Sequence, residues 1–81
     1  GEIRALRFGA HPDKVRLVVT TDRVLTYRAY MLADPVRLVI DTPSFRWRAG
    51  QITKPANLPV RDIRQGAHTP GQSRIVVDLD R

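Results

Sequence analysis

The chain contains no cysteine, only two lysines and no long apolar run. Without cysteine, it can form no disulfide, thiol-based catalytic site or cysteine-ligated zinc site. Its apolar runs are far shorter than the roughly 18 residues that a membrane-spanning helix needs, so no membrane insertion is expected. No basic segment followed by an apolar stretch indicates a signal peptide within these residues. We expect one domain spanning residues 1–81, because 81 residues are too few for two separate cores.

Recognisable catalytic and metal-binding motifs are also absent. The two serines, Ser44 and Ser73, lack a nucleophile-elbow context, and no glycine-rich phosphate loop occurs. His11 and His68 lack the three or four convergent ligands of a metal site. The chain is therefore expected not to be an enzyme, with no catalytic residue, no metal and no cofactor.

Arginine dominates the charge. Twelve of the 14 basic residues are arginine, and the formal net charge is +6. Arginine presents a planar fork that suits carboxylate, phosphate and amide-rich partners. Charge alone leaves nucleic acid, acidic lipid headgroups and an anionic cell-wall polymer open as partners.

An internal repeat organises the chain. Residues 3–11 (IRALRFGAH) recur as residues 60–68 (VRDIRQGAH), and residues 16–19 (RLVV) recur as residues 74–77 (RIVV). Each copy is typical of two strands joined by a turn, so we predict equivalent β-hairpins at 3–20 and 60–79.

A further strand pair is predicted at 25–41, with a turn at residues 33–35. Residues 43–59 carry three prolines and are predicted to form an irregular crossover. Four apolar residues there are expected to cap the core: Phe45, Trp47, Ile52 and Leu58. Six short strands separated by turn signals favour an all-β fold, a pseudo-symmetric β-sandwich of two small sheets.

Three strands repeat one polar pattern: Arg16-x-Val18-x-Thr20, Arg37-x-Val39-x-Asp41 and Arg74-x-Val76-x-Asp78. Alternate residues of a strand share a face, and the purely apolar set belongs inside because burying an unpaired arginine is costly. The predicted inward set comprises Leu6, Leu17, Val19, Leu38, Ile40, Ile63, Ile75, Val77 and Leu79. The outward set either forms ordinary cross-strand ion pairs or presents a polar face that binds an extended polymer.

The tetrapeptide from Phe45 to Arg48 interleaves aromatic and basic residues, as proteins that bind single-stranded nucleic acid do. One such tetrapeptide is a weak signal, and the sequence favours aromatic plugs at the core edge with solvated arginine neighbours. A basic nucleic-acid-binding β-domain is therefore the alternative function.

The sequence resembles the AMIN domain. The resemblance is carried by residues 3–19 (IRALRFGAHPDKVRLVV), by the segment from Tyr27 to Asp41 and by the second hairpin, and so covers nearly the whole chain. Such domains precede the zinc amidase domain of secreted N-acetylmuramoyl-L-alanine amidases and also occur in type IV pilus secretins. The amidase lineage fits the Gly-Ala-His-Pro-Asp-Lys turn better.

The resemblance implies a non-catalytic, periplasmic, monomeric module that binds peptidoglycan and is recruited to the division septum, with septal division proteins as further partners and no nucleic acid. It also implies a parent protein that is a zinc-dependent N-acetylmuramoyl-L-alanine amidase. Mapped onto this sequence, the implied ligand-binding residues are Arg7, Arg16, Val18, Arg37, Val39, Asp41, Arg64, Arg74, Val76 and Asp78. Thr20 departs from the family pattern, where aspartate is common, so the first hairpin is expected to bind more weakly.

Overall fold

The computed structural model describes residues 1–11, 14–53 and 56–80, and only the backbone of residues 10, 11 and 14. Seven strands lie within these ranges. Their bounds are β1 Glu2–His11, β2 Lys14–Thr21, β3 Arg28–Leu32, β4 Arg37–Pro43, β5 Arg46–Trp47, β6 Val60–Thr69 and β7 Gln72–Leu79.

The strands form two sheets. Sheet A has the order β2-β1-β5, and sheet B has the order β3-β4-β7-β6. All neighbouring strands are antiparallel except β1 and β5, which pair in parallel. The predicted class, a small all-β sandwich, is confirmed. In the described part of the chain, no helix is long and apolar enough to cross a membrane.

The two hairpins lie in different sheets and share an irregularity. The pairing of β1 with β2 shifts between Ile3 and Ala5, and the pairing of β6 with β7 shifts between Val60 and Asp62. A β-bulge inserts one extra residue, so residues three apart can face the same side. Accordingly, Ile3 and Val60 are both buried and begin the inward rows that Leu6 and Ile63 continue. The two copies of the repeat therefore share the position of this β-bulge as well as their sequence pattern.

The core lies between the sheets and draws most of its fully buried residues from sheet B. Val60, Ile63, Ile75 and Val77 form a buried cluster. Six of the predicted inward residues are only partly buried, and all but Val19 pack against that cluster: Leu6, Leu17, Val19, Leu38, Ile40 and Leu79. The predicted inward faces are therefore correct, but the burial is uneven because sheet A is narrower than sheet B.

The crossover connects the two sheets. Ser44 N donates to Gly71 O at 3.0 Å beside sheet B, and Arg46 N then donates to Gly1 O at 2.8 Å beside sheet A. The short strand β5 therefore lies within a segment predicted to be irregular. The four expected capping residues all pack against the core: Phe45, Trp47, Ile52 and Leu58.

Two boundaries differ from the sequence-based expectation. Strand β3 begins at Arg28, not at residue 25, because residues 25–27 serve in the connection from sheet A to sheet B. Strand β4 extends to Pro43, where the crossover was predicted to begin. The predicted turn at Pro12 and Asp13 lies outside the described residues.

Candidate binding faces

We call the outward-facing sides of sheets A and B face A and face B. On face B, the register of β4 and β7 places Arg37 opposite Asp78, and Asp41 opposite Arg74. Directly opposed residues of an antiparallel pair share a face. The residues predicted to point outward in these two strands therefore lie side by side, with opposite charges facing each other.

A four-residue network dominates one end of face B. Arg74 binds the Asp41 carboxylate through Nε at 2.7 Å and Nη2 at 3.2 Å, and Nη2 also donates to the Tyr30 hydroxyl at 3.1 Å. The Tyr30 hydroxyl donates to Asp41 Oδ2 at 2.9 Å. Arg28 lies over the Tyr30 ring, 5.8 Å from its centroid, within reach of a cation–π interaction.

The network shifts the pKa values of its members. The hydrogen bond from Arg74 lowers the pKa of the Asp41 carboxyl below its ordinary value, with a smaller contribution from Tyr30. The hydrogen bond to Asp41 raises the pKa of the Tyr30 phenol, and the same carboxylate raises the pKa of Arg74. Asp41 is thus held as a carboxylate, which suits a hydrogen-bond acceptor and not a general acid.

The other predicted residues of face B adopt different roles. Arg64 pairs with Asp78 at 3.2 Å across β6 and β7. Arg37, although opposite Asp78, turns toward the β3–β4 connection, where Nη1 donates to Pro35 O at 2.7 Å. The ion-pair interpretation of the stripe is therefore correct for Asp41–Arg74 and Arg64–Asp78, whereas Arg37 fastens a turn.

Val39 was expected to be exposed, and that expectation is wrong. Its side chain belongs to face B by register, yet the residue is only 2% exposed. The cause is its position in an interior strand, with Tyr30 directly opposite on one neighbour and Val76 on the other. Val39 therefore supports face B from beneath and is not accessible to a ligand.

A shallow depression lies beside the network. Its floor is Gly66, which sits directly opposite Arg74, and its volume is about 210 Å³. A Cβ atom at Gly66 would meet no atom within 4 Å. The glycine therefore leaves open space on face B. The depression is lined by Arg64, Gln65, Gly66, Ala67, His68, Arg74 and Val76.

Face A repeats this geometry with different charges. Arg7 lies opposite Val18 and Arg16 lies opposite Gly9, matching Arg64–Val76 and Gly66–Arg74. Two residues further along each hairpin, away from its turn, Ala5 lies opposite Thr20 on face A. The equivalent pair on face B consists of two aspartates, Asp62 and Asp78. Val18 is 39% exposed. Within the described residues, no salt bridge involves Arg7 or Arg16.

Two members of face B were missed by sequence reasoning: Tyr30 and Arg28. The signal was present, since antiparallel pairing of the predicted strands around the turn at 33–35 places Tyr30 opposite Val39 and Arg28 opposite Asp41. By contrast, the Phe45–Arg48 segment offers no stacking platform. Both of its aromatic rings pack against the core, and Trp47 Nε1 donates to Gly50 O at 2.7 Å.

Across the described ranges, no group of three or more histidine, cysteine, aspartate or glutamate residues could hold a metal ion. The fold and the two faces thus define a class: a small β-sandwich whose paired outer surfaces present arginine, valine and carboxylate side chains. The family model for the AMIN domain matches residues 5–81, so the chain belongs to the AMIN family. No curated protein and no solved structure matches the chain.

AMIN domains are non-catalytic modules that bind peptidoglycan, and they occur in amidases and secretins. The proteins that contain them are periplasmic or secreted. This membership agrees with the resemblance noted from the sequence.

Proposed function

We propose that this domain binds peptidoglycan through both outer faces and thereby targets a cell-wall amidase to the division septum. The observation that carries the proposal is the matched geometry of the two hairpins. On each of two outward faces an arginine lies opposite a half-buried glycine, and a Cβ atom at that glycine would meet no atom within 4 Å. A repetitive polymer suits two similar weak sites, because the second contact benefits from high effective concentration.

The accessible arginines for this role are Arg7 and Arg16 on face A and Arg64 on face B. The Arg64 side chain is 59% exposed, whereas that of Arg74 is 29% exposed and that of Asp41 is 16% exposed. Arg74 and Asp41 therefore order face B, and Arg64 with Val76 and the open space at Gly66 forms its contact surface.

The test must disable both faces at once. We therefore choose Arg16→Ala combined with Arg64→Ala, because Arg16 lies on face A and Arg64 lies on face B. A charge-matched control is Arg23→Ala with Arg48→Ala, which removes two exposed arginines outside the two hairpins. Each protein is incubated with purified sacculi, pelleted and quantified, and a thermal melt verifies its fold.

We expect the control to pellet like the unmodified domain and the Arg16/Arg64 variant to remain mostly in the supernatant. Single-stranded DNA is assayed in parallel over a salt series, because phosphate-driven binding weakens steeply with salt. Equal pelleting of all three proteins would show that the faces are not the site. DNA binding tighter than sacculus binding would favour the nucleic-acid alternative.

Recruitment to the septum is tested in cells. A fluorescent fusion of the domain, exported to the periplasm, should concentrate at the constriction site of dividing cells. The Arg16/Arg64 variant should distribute evenly along the envelope. Septal concentration of that variant would indicate that recruitment depends on a protein partner and not on the two faces.

A further inference from the structure

One edge of the sandwich breaks its pseudo-symmetry. Strand β7 pairs with β6 on one side and with β4 on the other, whereas β2, its equivalent in sheet A, pairs only with β1. In the part of the chain that the structure describes, no strand occupies the place beside β2 that β4 occupies beside β7. The outer edge of β2 therefore leaves N–H and C=O groups available for pairing.

An apolar groove of about 370 Å³ lies next to this edge, between the sheets. It is lined by ten residues: Ile3, Leu17, Val19, Thr21, Leu25, Tyr27, Leu38, Ile40, Thr42 and Ile75. Leu38 and Ile40 of β4 are only half-buried there. The groove exists because sheet A ends at β2, so the inner side of β4 lacks part of its cover.

The uncovered inner side continues onto β3. Met31 lies directly opposite Leu38, and Ala29 lies opposite Ile40, so both share the inward face of sheet B. Both are nevertheless exposed, Met31 by 53%. Sheet B has four strands and sheet A has three, so the inner face of sheet B is wider by one strand, or roughly 4.8 Å.

We propose that the free edge of β2 accepts an extended strand from a partner polypeptide, which completes sheet A and fills the groove. Inward residues of that strand would be apolar, because they would pack on Leu38, Ile40 and Met31. Backbone hydrogen bonds to β2 would supply the remaining affinity, as in other cases of strand addition.

The positive charge of Arg16 specifies one outward residue of the added strand. In sheet B, the strand beside β7 supplies Asp41 directly opposite Arg74. Arg16 is the equivalent of Arg74, and an added strand would place one residue directly opposite it. The partner segment therefore carries an acidic residue at that position, between apolar residues that face the groove.

A second copy of this chain fits the edge poorly. The strands that border the groove, β2 and β3, contain arginine and no acidic residue, so pairing them between copies would supply no carboxylate to Arg16. The formal net charge of +6 further opposes self-association and favours an acidic partner. The occupant is therefore a different polypeptide segment with alternating apolar and acidic residues.

The first test uses a synthetic peptide with the sequence of residues 36–43, because β4 holds the corresponding place beside β7. We expect saturable binding to the full domain, with the largest NMR amide shifts and new hydrogen-exchange protection at residues 15–21. A peptide with the aspartate changed to arginine should bind about tenfold more weakly, because like charges would face each other. The Arg16→Asp domain should reverse that order.

The second test addresses the groove. Met31→Lys places a charge on the uncovered inner face and should weaken peptide binding about fivefold or more, since a buried unpaired charge is costly. Val24→Lys is the matched control, because Val24 is 96% exposed and outside the groove lining. It should bind like the unmodified domain.

Three results would overturn the inference: no saturable binding of the peptide, amide shifts mapping away from β2, or a dimer in sedimentation whose β2 amides are protected from hydrogen exchange without peptide. Peptide binding is measured without sacculi, so a failure here leaves peptidoglycan binding by faces A and B untouched. Loss of sacculus binding would likewise leave this edge unaffected.

Discussion

Faces A and B are built from the same backbone plan and differ in how their arginines are satisfied. Both hairpins carry the same bulge and the same glycine opposite an arginine. On face B, three aspartates accompany the arginines, and two arginines form ion pairs with them. On face A, alanine and threonine occupy the positions equivalent to Asp62 and Asp78.

This difference distinguishes two roles of a surface arginine: ordering the surface through an ion pair, and presenting an unbalanced positive charge to a ligand. On face B, Arg74 is held in place by Asp41 and Tyr30, so its positive charge is largely balanced within the protein. On face A, Arg7 and Arg16 carry charge with no carboxylate opposite them. We therefore expect face B to contact a ligand mainly through hydrogen bonds and shape, and face A mainly through charge.

The largest expected effect concerns the interior behind the two faces. Ile75 and Leu17 are equivalent in the repeat, but Ile75 is 1% exposed in an interior strand, whereas Leu17 is half-buried in an edge strand. Ile75→Ala should lower the free energy of unfolding by about 2–5 kcal/mol, through the cavity it leaves. Leu17→Ala should cost roughly 1 kcal/mol, because less apolar surface returns to water.

Urea denaturation of both variants measures this difference. A common slope with denaturant concentration would verify that both variants unfold from an equally compact state. Equal midpoints would mean that the two sheets contribute equally to the core, and the comparison between them would fail.

The second expected effect is a pH dependence located on face B. Because the pKa of Asp41 is lower in the folded than in the unfolded chain, its carboxylate contributes stability above the unfolded pKa, about 3.9. That contribution is lost as the pH falls through the lower, folded pKa. Asp41→Asn should therefore melt at a lower temperature than the unmodified domain at pH 7, with the gap closing in acid.

The control for this prediction is Asp80→Asn, since the Asp80 side chain is 54% exposed and pairs with Arg61 at 3.8 Å. At pH 7 it should melt close to the unmodified domain, because an exposed ion pair contributes little to stability. A melting difference for Asp41→Asn that stays constant down to about pH 2 would show that the carboxylate charge is not its cause.

The inward faces of the strands could be predicted because only one of the two alternating sets is purely apolar between Arg37 and Asp41 of β4 and between Arg74 and Leu79 of β7. The other set carries arginine and aspartate beside its valine. The packing of Ile75, Val77 and Leu38 follows from it. The repeat also predicted two equivalent hairpins, although the shared bulge could not be seen, since a bulge changes pairing and not composition.

The site was harder to predict because exposure depends on neighbouring strands. Val39 and Val76 occupy the same place in the pattern, yet Val39 is buried, because its strand has a large side chain directly opposite on β3. The orientation of Arg37 was equally hidden. Its guanidinium can reach either Asp78 or the carbonyl groups of the turn, and no sequence pattern indicates which of the two it contacts.

The third prediction compares how strongly sacculus binding by each face depends on ionic strength. The Arg7→Ala/Arg16→Ala variant should lose the salt-sensitive part of sacculus binding, because its removed charges have no carboxylate opposite them. The Arg64→Ala variant should lose less of the salt dependence, since Asp78 already offsets that charge. Co-sedimentation from about 50 to 300 mM salt measures both, a range over which screening of exposed charges strengthens. Identical salt profiles would mean that the two faces do not differ in ligand contact.

The smallest structural change is a single methyl group at the glycine of each face. A Cβ atom at Gly9 or Gly66 would meet nothing within 4 Å, and neither residue has a positive φ. Gly9→Ala and Gly66→Ala should therefore keep the fold or stabilise it slightly, by about 0.4–1 kcal/mol, because alanine restricts the unfolded chain more than glycine does.

On face B, however, the added methyl group enters the depression beside Arg64 and Arg74. If a ligand approaches the backbone there, Gly66→Ala should weaken sacculus binding even as its melting temperature holds or rises. Gly9→Ala should weaken binding less, because charge contributes more of the contact on face A. Thermal melts and co-sedimentation of the two variants make the comparison, with Gly50→Ala excluded as a control because its φ of 73° would add strain. Full binding by both alanine variants would place the ligand away from the glycines and confine it to the arginine side chains.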